Sequence, residues 1–170
     1  MNKNYNEFAQ IIEQLINCKS LSFKQATLIM TEIMQGNFID ESLAALLIAL
    51  RMKGETTVEL TAFAKVMQNL SIKVNFKTKQ NYVDIVGTGG DGLHTFNIST
   101  TSAFVACGAG VIIAKHGNRS SSGLLGSADL LEAAGINLIL SADQVSECVE
   151  KLGIGFMFAP NHHLAMTHVQ

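Results

Sequence analysis

Charge is scarce in this sequence. Only 15% of its 170 residues are Asp, Glu, Lys or Arg, and the formal net charge is -2. No basic block is present, so the electrostatic footprint of a nucleic-acid binder is missing. No apolar run is long enough to span a bilayer, which argues against a membrane protein. The opening residues, Met1-Asn2-Lys3-Asn4-Tyr5-Asn6-Glu7, lack the apolar centre of a signal peptide. Cysteine is sparse too. Cys18, Cys107 and Cys148 form an odd, scattered set without ligand-like spacing, and read as reduced thiols of a cytoplasmic protein. Apolar residues are plentiful, at 48%, enough for a substantial core.

The first 70 or so residues read as helical. Phe8, Ile11, Ile12, Leu15 and Ile16 recur at helical spacing. Ser22 with Gln25 forms a capping-box pattern, and Gly36 closes that segment. Asp40 is expected to cap a third helix, Glu41 to Lys53, closed by Gly54. Thr56 with Glu59 opens a fourth, running to about Leu70. Short connections between such helices suggest a small antiparallel bundle.

A polar linker, Lys73 to Asn81, changes the pattern. The apolar segment Val83–Val86 is predicted as a strand, followed by a glycine loop and a helix from about Ile98 to Cys107. Val111 to Ala114 reads as a strand ending at Lys115, and His116 to Ser127 as irregular. A helix is expected from Ala128 to Ala134, a strand over Asn137–Leu140, and a helix begun by Ser141 or Asp143 and ending at Leu152. A last strand covers Ile154–Phe158, and Pro160 can start a further helix. Strands alternating with helices imply a parallel α/β sheet. Three or four strands would leave exposed edges, so the sheet reads as incomplete.

The most informative stretch is GTGGDGLHTFNIST, Gly87 to Thr100. Glycines let the backbone turn sharply, and consecutive N–H groups can form an anion-binding concavity. The helix beginning near Ile98 adds unpaired N–H groups and a dipole. Thr95, Asn97, Ser99, Thr100 and Thr101 add hydrogen-bonding side chains. Asp91 brings a negative charge to this phosphate cradle, which suits a bridging divalent cation, a sugar hydroxyl or a loop-orienting role. The string matches G-x-G-x-x-G, yet no helix follows it directly and the next strand ends in basic residues, which disfavours a dinucleotide fold. The second constellation, Lys115-His116-Gly117-Asn118-Arg119-Ser120-Ser121-Ser122-Gly123, gathers cations, an amide and hydroxyls after a strand and suits a sugar phosphate. Ser127 and Asp129 sit at a helix start, where capping and phosphate binding are both physical readings.

Together these residues resemble the anthranilate phosphoribosyltransferase family. GTGGDG with TFNIST, KHGNR at Lys115–Arg119, GSADLLEAAG at Gly126–Gly135 and FMFAPNHHLAM at Phe156–Met166 follow the family's order and spacing. The resemblance covers nearly the whole chain. It implies an α/β fold of the nucleoside phosphorylase/phosphoribosyltransferase type: a small N-terminal helical domain, residues 1–72, then the start of a mostly parallel α/β catalytic domain, residues 73–170. It also implies a homodimer through the helical domain. The implied reaction transfers the phosphoribosyl group of 5-phospho-α-D-ribose 1-diphosphate (PRPP) to anthranilate, with release of pyrophosphate and a requirement for Mg2+, in tryptophan biosynthesis.

By the same resemblance, PRPP is bound by Gly87, Gly90, Asp91, Thr95, Asn97, Ile98, Ser99 and Thr100. Further PRPP contacts come from Lys115, His116, Gly117, Asn118, Arg119, Ser120, Ser121, Ser122 and Gly123, and from Ser127. Ser99 also touches the metal. Gly87, Asn118 and His163 face anthranilate. At Leu124 and Leu125 many members carry a basic or polar residue beside a small one. The family continues past this point, with an anthranilate-contacting arginine and a magnesium-holding acidic pair in the continuation. Residues 1–170 alone are therefore expected to show little or no transferase activity. A nucleoside phosphorylase of the same fold, and a non-catalytic fragment, are the alternatives.

Overall fold

A computed structural model describes residues 3–77, 80–87, 96–120 and 125–169. These residues pack as two units: one runs to Ser71 and includes the segment from His163 onward, and the other is Ile72–His162.

The first unit contains helices α1 (Lys3–Ile16), α2 (Phe23–Met34), α3 (Asp40–Lys53) and α4 (Thr57–Leu70). Both expected capping boxes form: Ser22 with Gln25 starts α2, and Thr56 with Glu59 starts α4. Asp40 is not the cap of α3. Ile39 holds that position with extended backbone and no side-chain cap bond, while Asp40 and Glu41 place their charges in the first turn. Ile11, Leu15, Ile29, Leu46 and Ala62 are buried together in the core of this unit. A 3-10 segment, Leu164–Val169, contributes Ala165 and Met166 to it.

The second unit is built on a three-stranded parallel sheet in sequence order. Its elements are β1 (Tyr82–Val83), α5 (Ile98–Gly108), β2 (Ile112–Gly117), α6 (Ser127–Ala133), α7 (Ala142–Leu152), β3 (Ile154–Phe158) and α8 (Ala159–His162). Three sequence expectations are corrected. The strand at 83–86 stops at Val83, because side chains replace ladder partners beyond it: Asp84 Oδ1 accepts the His116 amide and Ile85 O accepts the Lys115 ammonium. β2 extends through His116 and Gly117, which lie opposite Met157 and Phe158 of β3, so tertiary pairing overrides the polar character of that stretch. Asn137–Leu140 is not a strand. The Asn137 side chain accepts the Ile139 amide at 2.9 Å, a local bond that competes with a sheet ladder.

Ala128, Leu131 and Leu138 pack with Phe156 and Phe158 on one side of this sheet. Several large apolar groups of the unit remain exposed, among them Val86, Phe96, Val105, Ile139 and Leu152. All three cysteines are free thiols.

Candidate functional site

The parallel register brings the carboxyl ends of β1 and β2 side by side, the place where open α/β sheets hold ligands. Two helices also begin there. Asn97 caps α5: its Oδ1 accepts the Thr100 amide at 3.0 Å and the Ser99 hydroxyl at 3.2 Å. Thr100, itself buried, donates its hydroxyl to Ser127 Oγ at 2.9 Å, at the first residue of α6. The Asn97 amide nitrogen lies 3.5 Å from the same oxygen. The predicted residues Asn97, Ser99, Thr100 and Ser127 are thus gathered into one polar cluster. Ile98 opens α5 with an exposed side chain, and Gly87 ends the described part of the first loop.

Lys115 is buried within β2, and its ammonium donates to the Ile85 carbonyl. Burial holds its pKa below the ordinary lysine value, and the Asp84 carboxylate opposes that shift. The His116 backbone donates to Asp84 Oδ1 at 3.1 Å. Burial lowers the pKa of its imidazole too; Asp84 works against this, while His162 and Lys115 reinforce it. Gly117 passes close to its neighbours: a Cβ there would come within 2.9 Å of the Phe156 ring and 3.2 Å of Ser127 Cβ. Only a residue without Cβ lets β2 run this near the start of α6.

Asn118 is exposed; its carbonyl accepts the Ala128 amide at 3.2 Å and its side chain accepts the Arg119 amide at 2.8 Å. Arg119 turns toward α6. Its guanidinium donates to Asp129 Oδ1 at 3.0 Å and to both Glu132 oxygens at 2.7 and 3.0 Å, and lies over the Phe158 ring. These bonds raise the arginine pKa above its already high ordinary value. Asp129 Oδ2 accepts the amides of Ser120 at 3.1 Å and Gly126 at 2.8 Å. Those two amides, then burial acting in the opposite sense and the Arg119 guanidinium, leave the carboxyl below the usual range. Gly90, Asp91, Thr95, Ser121, Ser122 and Gly123 lie outside the described residues. His163 belongs to the helical unit, where its carbonyl accepts the Met166 amide at 2.9 Å. His162 is buried, its carbonyl accepting the Ile72 amide at 2.8 Å, which suits a packing role.

Two residues of this site, Asp84 and Glu132, escape the sequence reading. Asp84 is a charge inside an apolar strand-like run, a signal that was present but unused. Asp129 marks a helix start, where capping and phosphate binding are both open from the sequence, and Glu132, three residues further on, carries no signal without its partner Arg119.

Residues 79–170 match the glycosyl transferase family, a/b domain, and residues 9–71 match the helical bundle domain of the same family. The chain belongs to this glycosyl transferase family. It is 54% identical over 158 residues to the anthranilate phosphoribosyltransferase of Hydrogenovibrio crunogenus, an alignment covering 93% of this chain and 46% of that protein. Among solved structures, the anthranilate phosphoribosyltransferase of Thermus thermophilus superimposes with a TM-score of 0.83 at 41% identity, covering 94% of this chain and 48% of that one. The Saccharomyces cerevisiae enzyme, solved in complex with PRPP and Mg, gives a TM-score of 0.84 at 27% identity over 99% of this chain and 50% of its own. The chain spans about half the length of the curated relatives it matches. Among the described residues, no helix is long and apolar enough to cross a membrane.

The side chains present fit a magnesium ion. Mg2+ takes oxygen donors and commonly shares them between one or two protein groups, substrate phosphate and water. Ser99 Oγ, beside the first turn of α5, is an oxygen of that kind. Among the described residues, no three His, Cys, Asp or Glu side chains gather as a protein cage.

Proposed function

We propose that this chain binds PRPP with Mg2+ and serves the transfer of its phosphoribosyl group to the amine of anthranilate, in tryptophan biosynthesis. The observation that carries the reading is the meeting of Asn97, Ser99, Thr100 and Ser127 at the carboxyl ends of β1 and β2. Relatives named for this reaction support it, and one of them was solved with PRPP and Mg.

In the reaction, the anthranilate nitrogen forms a bond to the anomeric carbon of ribose. The bond to the diphosphate oxygen breaks, its electron pair leaves with pyrophosphate, and the amine loses a proton. An aromatic amine is already neutral at pH 7, so positioning and charge stabilisation carry the catalysis. The amides and hydroxyls of Gly87, Asn97, Ile98, Ser99 and Ser127 hold phosphate oxygens, and Thr100, buried behind them, holds Ser127 in place. Ser99 Oγ supplies one magnesium ligand, and the ion offsets charge on the departing diphosphate. Lys115 holds the Ile85 carbonyl and so fixes the approach to Gly87. His116, Gly117, Asn118, Arg119 and Ser120 shape the second wall; Gly90, Asp91, Thr95, Ser121, Ser122 and Gly123 join the PRPP-binding set by family resemblance alone. Gly87 and Asn118 face anthranilate.

The same reading places the protein in the cytoplasm as a homodimer joined through the helical domain. Ile48 and Met52 on α3 and Leu60 on α4 are exposed, as an apolar interface requires. Its division into a helical domain, 1–72, and an α/β domain, 73–170, follows the family.

Thermal unfolding tests the substrate. PRPP with magnesium is expected to raise the midpoint, whereas thymidine with phosphate is not. Stabilisation by the nucleoside pair alone would favour a phosphorylase and sink the reading.

A further inference from the structure

Arg119 and Ser120 follow β2, and Gly126 precedes α6, so these residues flank the segment between the two elements. Two independent observations show the flanks held together. A Cβ at Gly126 would lie 2.2 Å from the Ser120 nitrogen and 2.5 Å from the Arg119 carbonyl carbon, so the two backbones touch where only glycine fits. One carboxylate oxygen, Asp129 Oδ2, accepts the amides of both Ser120 and Gly126, at 3.1 and 2.8 Å. The other oxygen of Asp129 accepts the Arg119 guanidinium, which Glu132 also grips. Ser127, the residue after Gly126, receives the Thr100 hydroxyl from α5. A chain of contacts therefore runs from Asp129 through Gly126 to the polar cluster between α5 and α6.

We infer that Asp129, with Gly126 beneath it, is the positioning residue that clamps the two flanks of this segment and sets Ser127 and Asn118 for ligand. This inference rests on the PRPP reading given above. In it, the charge of Arg119 serves the clamp and is directed at the α6 carboxylates. Asp129 touches neither substrate nor metal; it acts through the backbone it holds. A plain helix cap would need only the Gly126 amide. The bonds to Ser120 and Arg119 exceed that requirement.

The test uses the 170-residue chain and its Asp129→Asn, Asp129→Ala and Gly126→Ala variants. Two quantities are measured at a temperature where circular dichroism shows each protein folded: hydrogen exchange of the Ser120 and Gly126 amides, and PRPP affinity with magnesium. Asp129→Ala is expected to speed exchange at both amides and to weaken PRPP binding by about tenfold or more. Asp129→Asn should fall between, because its carboxamide oxygen still accepts. Gly126→Ala should weaken binding with the carboxylate intact. A merely structural role would lower the unfolding midpoint and leave the affinity of the folded protein unchanged; that result overturns the inference. Unchanged amide exchange in Asp129→Ala overturns it too. If the wild-type chain fails to bind PRPP, the reading above falls and takes the positioning role with it. Intact wild-type binding that survives in Asp129→Ala removes the inference alone.

Discussion

The Thr100 hydroxyl donates to Ser127 Oγ at 2.9 Å, joining the first turn of α5 to the first residue of α6 across 27 positions of sequence. Thr100 is 1% exposed, so water cannot replace this partner. Ser127→Ala leaves a buried hydroxyl without its acceptor. It is expected to weaken PRPP binding by about tenfold, and to cost stability on the order of 1–3 kcal/mol. Titration calorimetry and urea unfolding of the same variant separate the two effects.

Gly117→Ala tests the close approach of β2 to α6. The added methyl would meet the Phe156 ring at 2.9 Å and Ser127 Cβ at 3.2 Å, so the ring or the start of α6 must shift to admit it. Overpacking of this kind costs roughly 1–3 kcal/mol. Chemical denaturation should show the loss. An unchanged midpoint would mean that β2 and α6 can separate freely.

The helical unit should be acid-sensitive through Glu59. This carboxylate is wholly buried, and burial by itself would raise its pKa. The Lys53 ammonium at 2.8 Å, the Leu21 amide at 2.8 Å and the Thr56 amide at 2.7 Å, with the Thr56 hydroxyl, outweigh it and bring the pKa from 4.5 to about 2. A folded-state pKa below the unfolded one gives stability that is fully present above pH 4.5 and lost as the pH falls toward 2. Glu59→Gln should lower stability at pH 7 and flatten this acid limb, read by circular dichroism between pH 2 and 6. A wild-type protein whose midpoint does not change over that window would contradict the assignment.

The α/β unit should respond to weaker acid through His116. Its folded pKa lies below 6.5, burial being the leading cause, so the unfolded chain binds the proton first. Stability is therefore expected to hold above pH 6.5 and to decline as the pH falls below it. His116→Gln should remove that decline, measured as the denaturation midpoint between pH 5 and 8.

Much of the architecture was legible because local signals agree with the fold. Ser22-Gln25 and Thr56-Glu59 are reciprocal caps, and their residue types alone mark two helix starts. Ser141, one of the two starts the sequence offers for α7, caps it in the same way with Gln144. The misplaced elements all depend on distant partners. β1 is cut short by Lys115 and His116, some thirty residues away, and β2 is lengthened by β3. The candidate site divides similarly. Glycines, hydroxyls and strand ends pointed to Asn97, Ser99, Thr100 and Ser127. Lys115 and Arg119 look like phosphate-seeking cations in the sequence. In the fold their charges meet a backbone carbonyl and two carboxylates, partners that local pattern cannot supply.

The most direct test of the account is isothermal titration of the purified chain with PRPP, with and without magnesium. Saturable binding that depends on magnesium, and weakens in Ser127→Ala, is the predicted result. A folded sample that shows no PRPP binding in the presence of magnesium would contradict it.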